Sequence, residues 1–288
     1  MSRASKDKSE RPDIDKFPLF KKSVNVYPFS LKMAIHPTAI IDPSAQIGAD
    51  VVIGPYSVIG AQVTLGARCV LANHVTLAGP TRIGKENIFY PFCSIGQRTQ
   101  DLKYCGEPTY LDIGSSNIFR EFCTVNRGTA IGKRTVIGDH NNFLTYCHIA
   151  HDCIVGSHTI FSNNGTIAGH VTVEDYAIIG GFAAVHQFCR IGAHSILGAC
   201  SKVTQDVLPF MIADGNPAAL RGVNKVGLER REFPDDVIRM LHNAYRLLCR
   251  SKLNVSQAVA AIREELPVSL ERGQLLNFIK ASQRGLVR

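Results

Sequence analysis

The chain has 288 residues, 45% of them hydrophobic, and a formal net charge of +8. That is enough apolar material for one large or two modest packed domains, yet no window approaches the ~18 consecutive apolar residues of a membrane-spanning helix. Nine cysteines stand singly with no CxxC pair, which excludes a disulfide scaffold and reads as reduced core thiols in a reducing compartment. The positive balance suits anionic partners without choosing among phosphates, acidic carrier proteins and nucleic acid.

Residues 1–33 are polar and lysine-rich, lack an apolar run and include Glu10, Asp13 and Asp15. They read as a flexible N-terminal arm or the remnant of a longer targeting segment, and match neither a secretory signal nor an acid-poor transit peptide. From Ile35 a six-residue period takes over: Ile41, Ile47, Ile53, Ile59, Leu65 and onward to Ile95, then in the same phase from Ile113 to Val203. All 27 sampled positions are aliphatic or Phe, where the 45% composition alone would give about 12, and Gly follows in 13 cases. A period of six fits neither an α-helix nor a heptad; it fits hexapeptide repeats in which each hexad is one short side of a triangular parallel β-coil. Three hexads close a coil of 18 residues, so residues 34–208 are expected to form about nine coils with the aliphatics in an internal column. Glycine after the aliphatic is expected at corners that need a tight turn or φ > 0.

Gly96–Asp112 breaks the pattern, and residues 97–112 are expected to be a loop thrown out from the prism, a length that is usually functional. After Val203 the repeat ends. Pro209, Gly215-Asn216-Pro217 and Gly222 mark a linker opening a C-terminal region, 209–288, with amphipathic helices near 235–250, 256–265 and 271–283, and Asp235 and Ser256 as N-caps.

Coil length converts sequence distance into geometry: residues 18 apart lie about 4.8 Å apart along the axis. His151, Gly169 and Gln187 should therefore line one wall, with Asp152 beside His170, and His148 and His186 close by. Three readings fit such a strip. His151 is a general base oriented by Asp152, with a backbone N–H such as that of Gly169 facing a developing oxyanion. Alternatively the histidines hold a metal such as Zn²⁺, or they are corner residues satisfied by backbone groups. No Ser or Cys stands in a nucleophile motif, so direct transfer is more economical than a covalent intermediate.

The strings QDLKYCGEPT (100–109), HIAHDC (148–153), TIAGHV (166–171), DYAIIGGFAAVHQFCRIGAH (175–194), GNPA (215–218) and QRGLVR (283–288) resemble the UDP-N-acetylglucosamine acyltransferase family, whose members open lipid A synthesis; the resemblance covers about residues 34–288. It implies a left-handed β-helix, a hand that spacing does not give, and a C-terminal helical domain. It also implies transfer of an (R)-3-hydroxyacyl chain from acyl carrier protein to the glucosamine 3-hydroxyl of UDP-N-acetylglucosamine. Carried over by motif, His151 is the base, Asp152 its orienting partner and Gly169 the oxyanion amide. Asp101, Lys103 and His148 would hold the sugar nucleotide, with His170 beside the sugar. His186 and Gln187 would contact the acyl donor, Gln187 at its 3-hydroxyl, while Asn216, Arg230 and Arg231 would bind the donor's phosphopantetheine or phosphate portion. Ala199, in LGACS, stands where members often have Gly at the end of the acyl tunnel, so a shorter chain is expected. Asn126, in Val125-Asn126-Arg127-Gly128, departs from the commoner IHRG. The resemblance further implies a homotrimer with sites between neighbours and no cofactor or metal beyond the carrier thioester as co-substrate. Neither nucleic acid nor a transmembrane segment is expected. The compartment is cytoplasmic for a bacterial source and mitochondrial for a eukaryotic one, the N-terminal arm favouring the latter. The rivals are a metalloenzyme like the γ-class carbonic anhydrases, which needs three histidines on one metal, and a non-catalytic β-helix, which has no use for the long loop.

Overall fold

A computed structural model describes residues 35–288, and the arm expected for 1–33 lies outside the described residues. Most strands are only two residues long. A pair of residues makes too few hydrogen bonds to hold a strand alone, so stability comes from stacking equivalent pairs in parallel. Ile41 pairs with Ile59, Ile47 with Leu65 and Ile53 with Leu71. Repetition builds sheets of nine, eight and ten strands, the three faces of a left-handed parallel β-helix that is followed by helices. Face one runs from Ile40–Ile41 to Lys202–Val203, face two from Gln46–Ile47 to Arg190–Ile191, and face three from Val52–Ile53 to Ile196–Leu197. The hexad aliphatics fill the interior: Ile53, Leu71, Leu77, Phe89, Ile95, Phe119, Phe143, Phe161 and Ile167 are each 0% exposed. Full burial of such a side chain contributes roughly 1.5–3 kcal/mol.

The corners correct one expectation. The glycine after each aliphatic has no positive φ at Gly48, Gly54 or Gly66; a Cβ on Gly66 would lie 2.5 Å from the Gly84 carbonyl oxygen of the next coil. These glycines serve close coil-to-coil approach. The left-handed conformation falls two residues later and is taken by side chains such as Tyr56, Asp152, His170 and Phe188, at φ 59, 59, 62 and 65°. Asp and His tolerate that region better than most, and each stacked corner shares the cost with its neighbours.

Two insertions interrupt the coils, both at the corner between faces one and two. The first occupies residues 98–109, because the strands Ser94–Gln97 and Tyr110–Ile113 claim the ends of the expected 97–112 loop. The second is 127–133, which the six-residue period alone reads as an ordinary hexad. Ile131 is in phase but is 72% exposed, because the coil runs from Thr124–Asn126 directly to Arg134–Ile137. Coil-equivalent residues are consequently 30 apart across the first insertion (Phe89 and Phe119) and 24 apart across the second (Phe119 and Phe143).

Like residues stack through both gaps. The rings of Phe89, Phe119, Phe143 and Phe161 follow one another at 4.9, 4.8 and 5.0 Å. The Asn87 Oδ1 accepts from both N–H groups of Asn117 at 3.0 Å, the Asn117 Oδ1 accepts the Asn141 N–H at 2.9 Å, and the Asn141 Oδ1 accepts the Thr159 N–H and hydroxyl at 2.7 Å. All nine cysteines are free thiols.

The expected linker is instead an antiparallel hairpin, Met211–Asp214 with Ala219–Val223, that extends face three. It turns through the cis Asn216–Pro217 bond. Four helices follow: α1 (Lys225–Glu229), α2 (Asp235–Cys249), α3 (Val255–Glu265) and α4 (Leu270–Ala281). The expected caps move by one or two residues. Asn254, not Ser256, caps α3 in a capping box with Gln257, and Pro234 precedes α2, leaving Asp235 and Asp236 in its first turn to face the helix dipole. The apolar stripe Ile238, Leu241, Ala244, Tyr245 and Leu248 of α2 is buried. Buried Asp206 ties the chain end to the coils, accepting the Arg190 N–H at 2.8 Å and the Ser282 hydroxyl at 2.6 Å. No helix among the described residues is long and apolar enough to cross a membrane.

Candidate active site

The corner between faces one and two gathers most of the residues singled out in the sequence. Each coil turns there through one left-handed residue, so Asp152, His170 and Phe188 stand above one another. Backbone bonds lock the register: the His170 N–H donates to the His151 carbonyl and the Phe188 N–H to the Gly169 carbonyl, both at 3.1 Å. His151, Gly169 and Gln187 follow in the adjacent row, as the 18-residue spacing requires.

His151 is largely enclosed, its side chain 14% exposed, and its Nδ1 lies 2.9 Å from the Asp152 Oδ2. A carboxylate accepts only, so Nδ1 carries the proton and Nε2 keeps a free lone pair. The Asp152 side chain is 8% exposed and held from several directions. Its Oδ2 accepts the Thr129 N–H at 3.1 Å, and its backbone N–H donates to the Thr135 hydroxyl at 2.9 Å. Gly169 lies so close that a Cβ there would fall 2.5 Å from the imidazole Cε1 and 2.6 Å from Nε2. Any side chain at this position would force the ring to move.

His170 packs edge-on to His151 at 5.2 Å and stacks on Phe188 at 4.5 Å, with its Nε2 3.8 Å from the Asp152 Oδ2. Burial lowers its pKa, opposed by the Asp152 carboxylate, and the charges of Asp101 and Lys133 also act on it. His148 bonds the Thr124 hydroxyl through Nδ1 at 2.7 Å, and burial, with the His151 charge second, lowers its pKa too. Both shifts favour the neutral ring.

The two insertions frame this corner. Thr99 and Thr129 join them through a 2.7 Å hydroxyl pair, and Asn126 Nδ2 donates to the Arg98 carbonyl at 3.0 Å. Arg127 bonds the Gly96 carbonyl at 2.7 Å and that of Gly79, so it is built into the scaffold. Asp101 folds onto its own loop, accepting the Lys103 N–H at 2.9 Å, while the Lys103 side chain is exposed.

His186 and Gln187 are exposed at the far end of the same wall. There Arg284, from the chain terminus, approaches the His186 Nδ1 at 3.2 Å. The remaining candidates lie elsewhere. Arg230 and Arg231 stand at the corner between faces two and three, Arg231 5.0 Å above the Tyr176 ring with its pKa lowered by burial. Asn216 is on the hairpin turn, and Ala199, exposed beside Cys200, is at the third corner. A single chain thus brings together His148, His151, Asp152, Gly169 and His170, carries Asp101 and Lys103 on the first insertion, and leaves Asn216, Arg230, Arg231 and Ala199 at other edges.

Sequence reasoning missed Thr129, Thr135, Lys133, Phe188 and Arg284. The recurrences Asn117/Asn141, Phe119/Phe143 and Cys123/Cys147, each 24 apart, carried the signal for the second insertion and hence for Thr129 and Lys133. A three-histidine metal centre is not formed among the described residues; the group with metal-ligating spacing is His151, Asp152 and His170.

Family models match twice: bacterial transferase hexapeptide repeats at residues 34–67 and 44–79, and the second domain of UDP-N-acetylglucosamine O-acyltransferase at 206–287. The acyl-[acyl-carrier-protein]–UDP-N-acetylglucosamine O-acyltransferase of Stutzerimonas stutzeri is 45% identical over 88% of this chain and 99% of its own. The protein of the same name from Thiobacillus denitrificans is 48% identical over 88% and 99%. Among solved structures, LpxA from Acinetobacter baumannii superposes with a TM-score of 0.86 at 46% identity, covering 89% of this chain and 100% of that one.

Proposed function

The chain belongs to the UDP-N-acetylglucosamine O-acyltransferase family, and on that premise we propose that it moves an (R)-3-hydroxyacyl chain from acyl carrier protein to the 3-hydroxyl of UDP-N-acetylglucosamine, the first step of lipid A synthesis. The observation that carries the reading is the His151–Asp152 pair, 2.9 Å apart beside Gly169.

His151 Nε2 takes the proton of the sugar hydroxyl as its oxygen attacks the thioester carbonyl carbon. Asp152 holds the ring in the required tautomer and stabilises the imidazolium that forms. The Gly169 N–H faces the oxyanion of the tetrahedral intermediate. Collapse breaks the C–S bond, and the imidazolium returns its proton to the departing thiolate of the carrier. No acyl-enzyme and no cofactor are needed. Asp101, Lys103, His148 and His170 bind the sugar nucleotide, and His186 and Gln187 bind the acyl donor. Asn216, Arg230 and Arg231 hold the donor's phosphate portion, and Ala199 limits acyl length. Because the last four lie at other corners, the complete site is assembled between chains of a homotrimer. The charge of +8 suits both an acidic carrier and a nucleotide.

Mass spectrometry of the product from UDP-N-acetylglucosamine and a panel of hydroxyacyl carriers tests the reading. An ester on the 3-hydroxyl is expected; no acylated sugar nucleotide with any carrier would overturn it.

A further inference from the structure

His151, Asp152 and His170 each present a ligand atom within 4.8 Å of the others. Two of the separations are 2.9 Å (His151 Nδ1 to Asp152 Oδ2) and 3.8 Å (His170 Nε2 to the same oxygen). Nitrogen and oxygen ligands around tetrahedral zinc stand ~3.3 Å apart, so the two distances bracket the required one and small side-chain shifts reach it. A second observation is independent of that spacing. The Asp152 side chain is 8% exposed, yet its Oδ1 has no hydrogen-bond partner among the described residues. A buried carboxylate oxygen without a donor costs free energy that a cation relieves. Thr129 and Thr135 hold Asp152 in place, and the His170 ring stacks on Phe188. His170 is 38% exposed on its side chain, leaving a path for an ion to enter.

We infer that these three side chains form a site for a borderline divalent transition metal, zinc being the type case, and that its occupation stops the acyl transfer. Zinc takes the Nδ1 lone pair of His151, so the ring's single proton moves to Nε2. The nitrogen that must accept the sugar proton is then blocked. Asp152 supplies one or both oxygens, His170 supplies Nε2, and water completes the shell. The binding stands on the geometry alone; the inhibition rests on the proposed role of His151.

Calorimetric titration of zinc chloride into the full chain is expected to show one equivalent per chain. Loss of one ligand should weaken binding at least ~10-fold, since even removing an outer-shell partner costs that much. His170→Ala and Asp152→Asn should each show this loss. His158→Ala, at the stacked His140–His158 pair of another corner, should bind zinc as the parent does. No saturable uptake, or uptake indifferent to both substitutions, overturns the site. Zinc held by the trio with transfer undiminished would leave the site standing and remove His151 from the role of base. Conversely, transfer that depends on His151 in a chain that ignores zinc would sink the metal site alone.

Discussion

The Asp152 Oδ2 accepts the backbone N–H of Thr129 at 3.1 Å, although the two residues stand 23 apart in the chain. The contact exists because the 127–133 insertion turns back over the corner where Asp152 orients His151. Hydrogen bonds to charged groups contribute roughly 1.5–3 kcal/mol. Thr129→Pro removes the N–H, and kcat should fall by about 10–100-fold if the misplaced carboxylate is felt in the transition state. Thr129→Ala keeps the amide and loses only the hydroxyl bond to Thr99, so its kcat should stay within about threefold. Steady-state kinetics on the two variants decide it; equal losses would make the loop a structural brace.

Gly169→Ala puts a methyl 2.5 Å from the His151 Cε1. The backbone is locked by the coil register, so the ring must swing away and lose its bond to Asp152. A kcat loss of at least ~100-fold is expected with a melting temperature close to that of the parent. Retained activity would mean that the ring has another working position.

Asn117 is the middle rung of the buried ladder from Asn87 to Thr159. Asn117→Ala strands the Asn141 N–H in a dry interior and takes one donor each from the Asn87 Oδ1, which keeps the backbone N–H of residue 117, and the Gly138 carbonyl, so about 2–4 kcal/mol of stability should be lost. Denaturant unfolding measures the loss; a change under ~0.5 kcal/mol would show that the ladder is dispensable.

His194 stacks between Tyr176 and Phe210, and burial, then Arg231, lowers its pKa from 6.5 to about 4. The unfolded chain takes up this proton near pH 6.5 and the folded chain only near 4. The unfolded state therefore binds more protons in that window, and stability falls as pH drops from 6.5 toward 4. His194→Phe, an aromatic already accepted in the left-handed corner at Phe188 and Phe210, should flatten the melting-temperature profile across that range. An unchanged slope would place the acid sensitivity elsewhere.

The hexad column was legible because each inward position must be apolar whatever else the corner does. The site was legible where it followed from spacing: His151, Gly169 and His170 are coil neighbours by arithmetic. Ile131 misled, because an exposed loop residue happened to fall in phase and was followed by glycine as a real hexad is. Only the stacking of like residues exposes that accident, since an Asn ladder or a Phe stack works only if identical side chains align. Arg284 was illegible, because its approach to His186 depends on how the last residues dock through Asp206 and Ser282. The φ > 0 corners were misassigned for a related reason: stacked side chains support a backbone conformation that an isolated residue avoids.

The most direct test of the central claim is kcat for His151→Ala, with circular dichroism and melting temperature as controls for the fold. Removal of the base should cost at least ~100-fold while KM for the sugar nucleotide changes little. Turnover within a few-fold of the parent, in a folded protein, would contradict the assignment of proton transfer to this histidine.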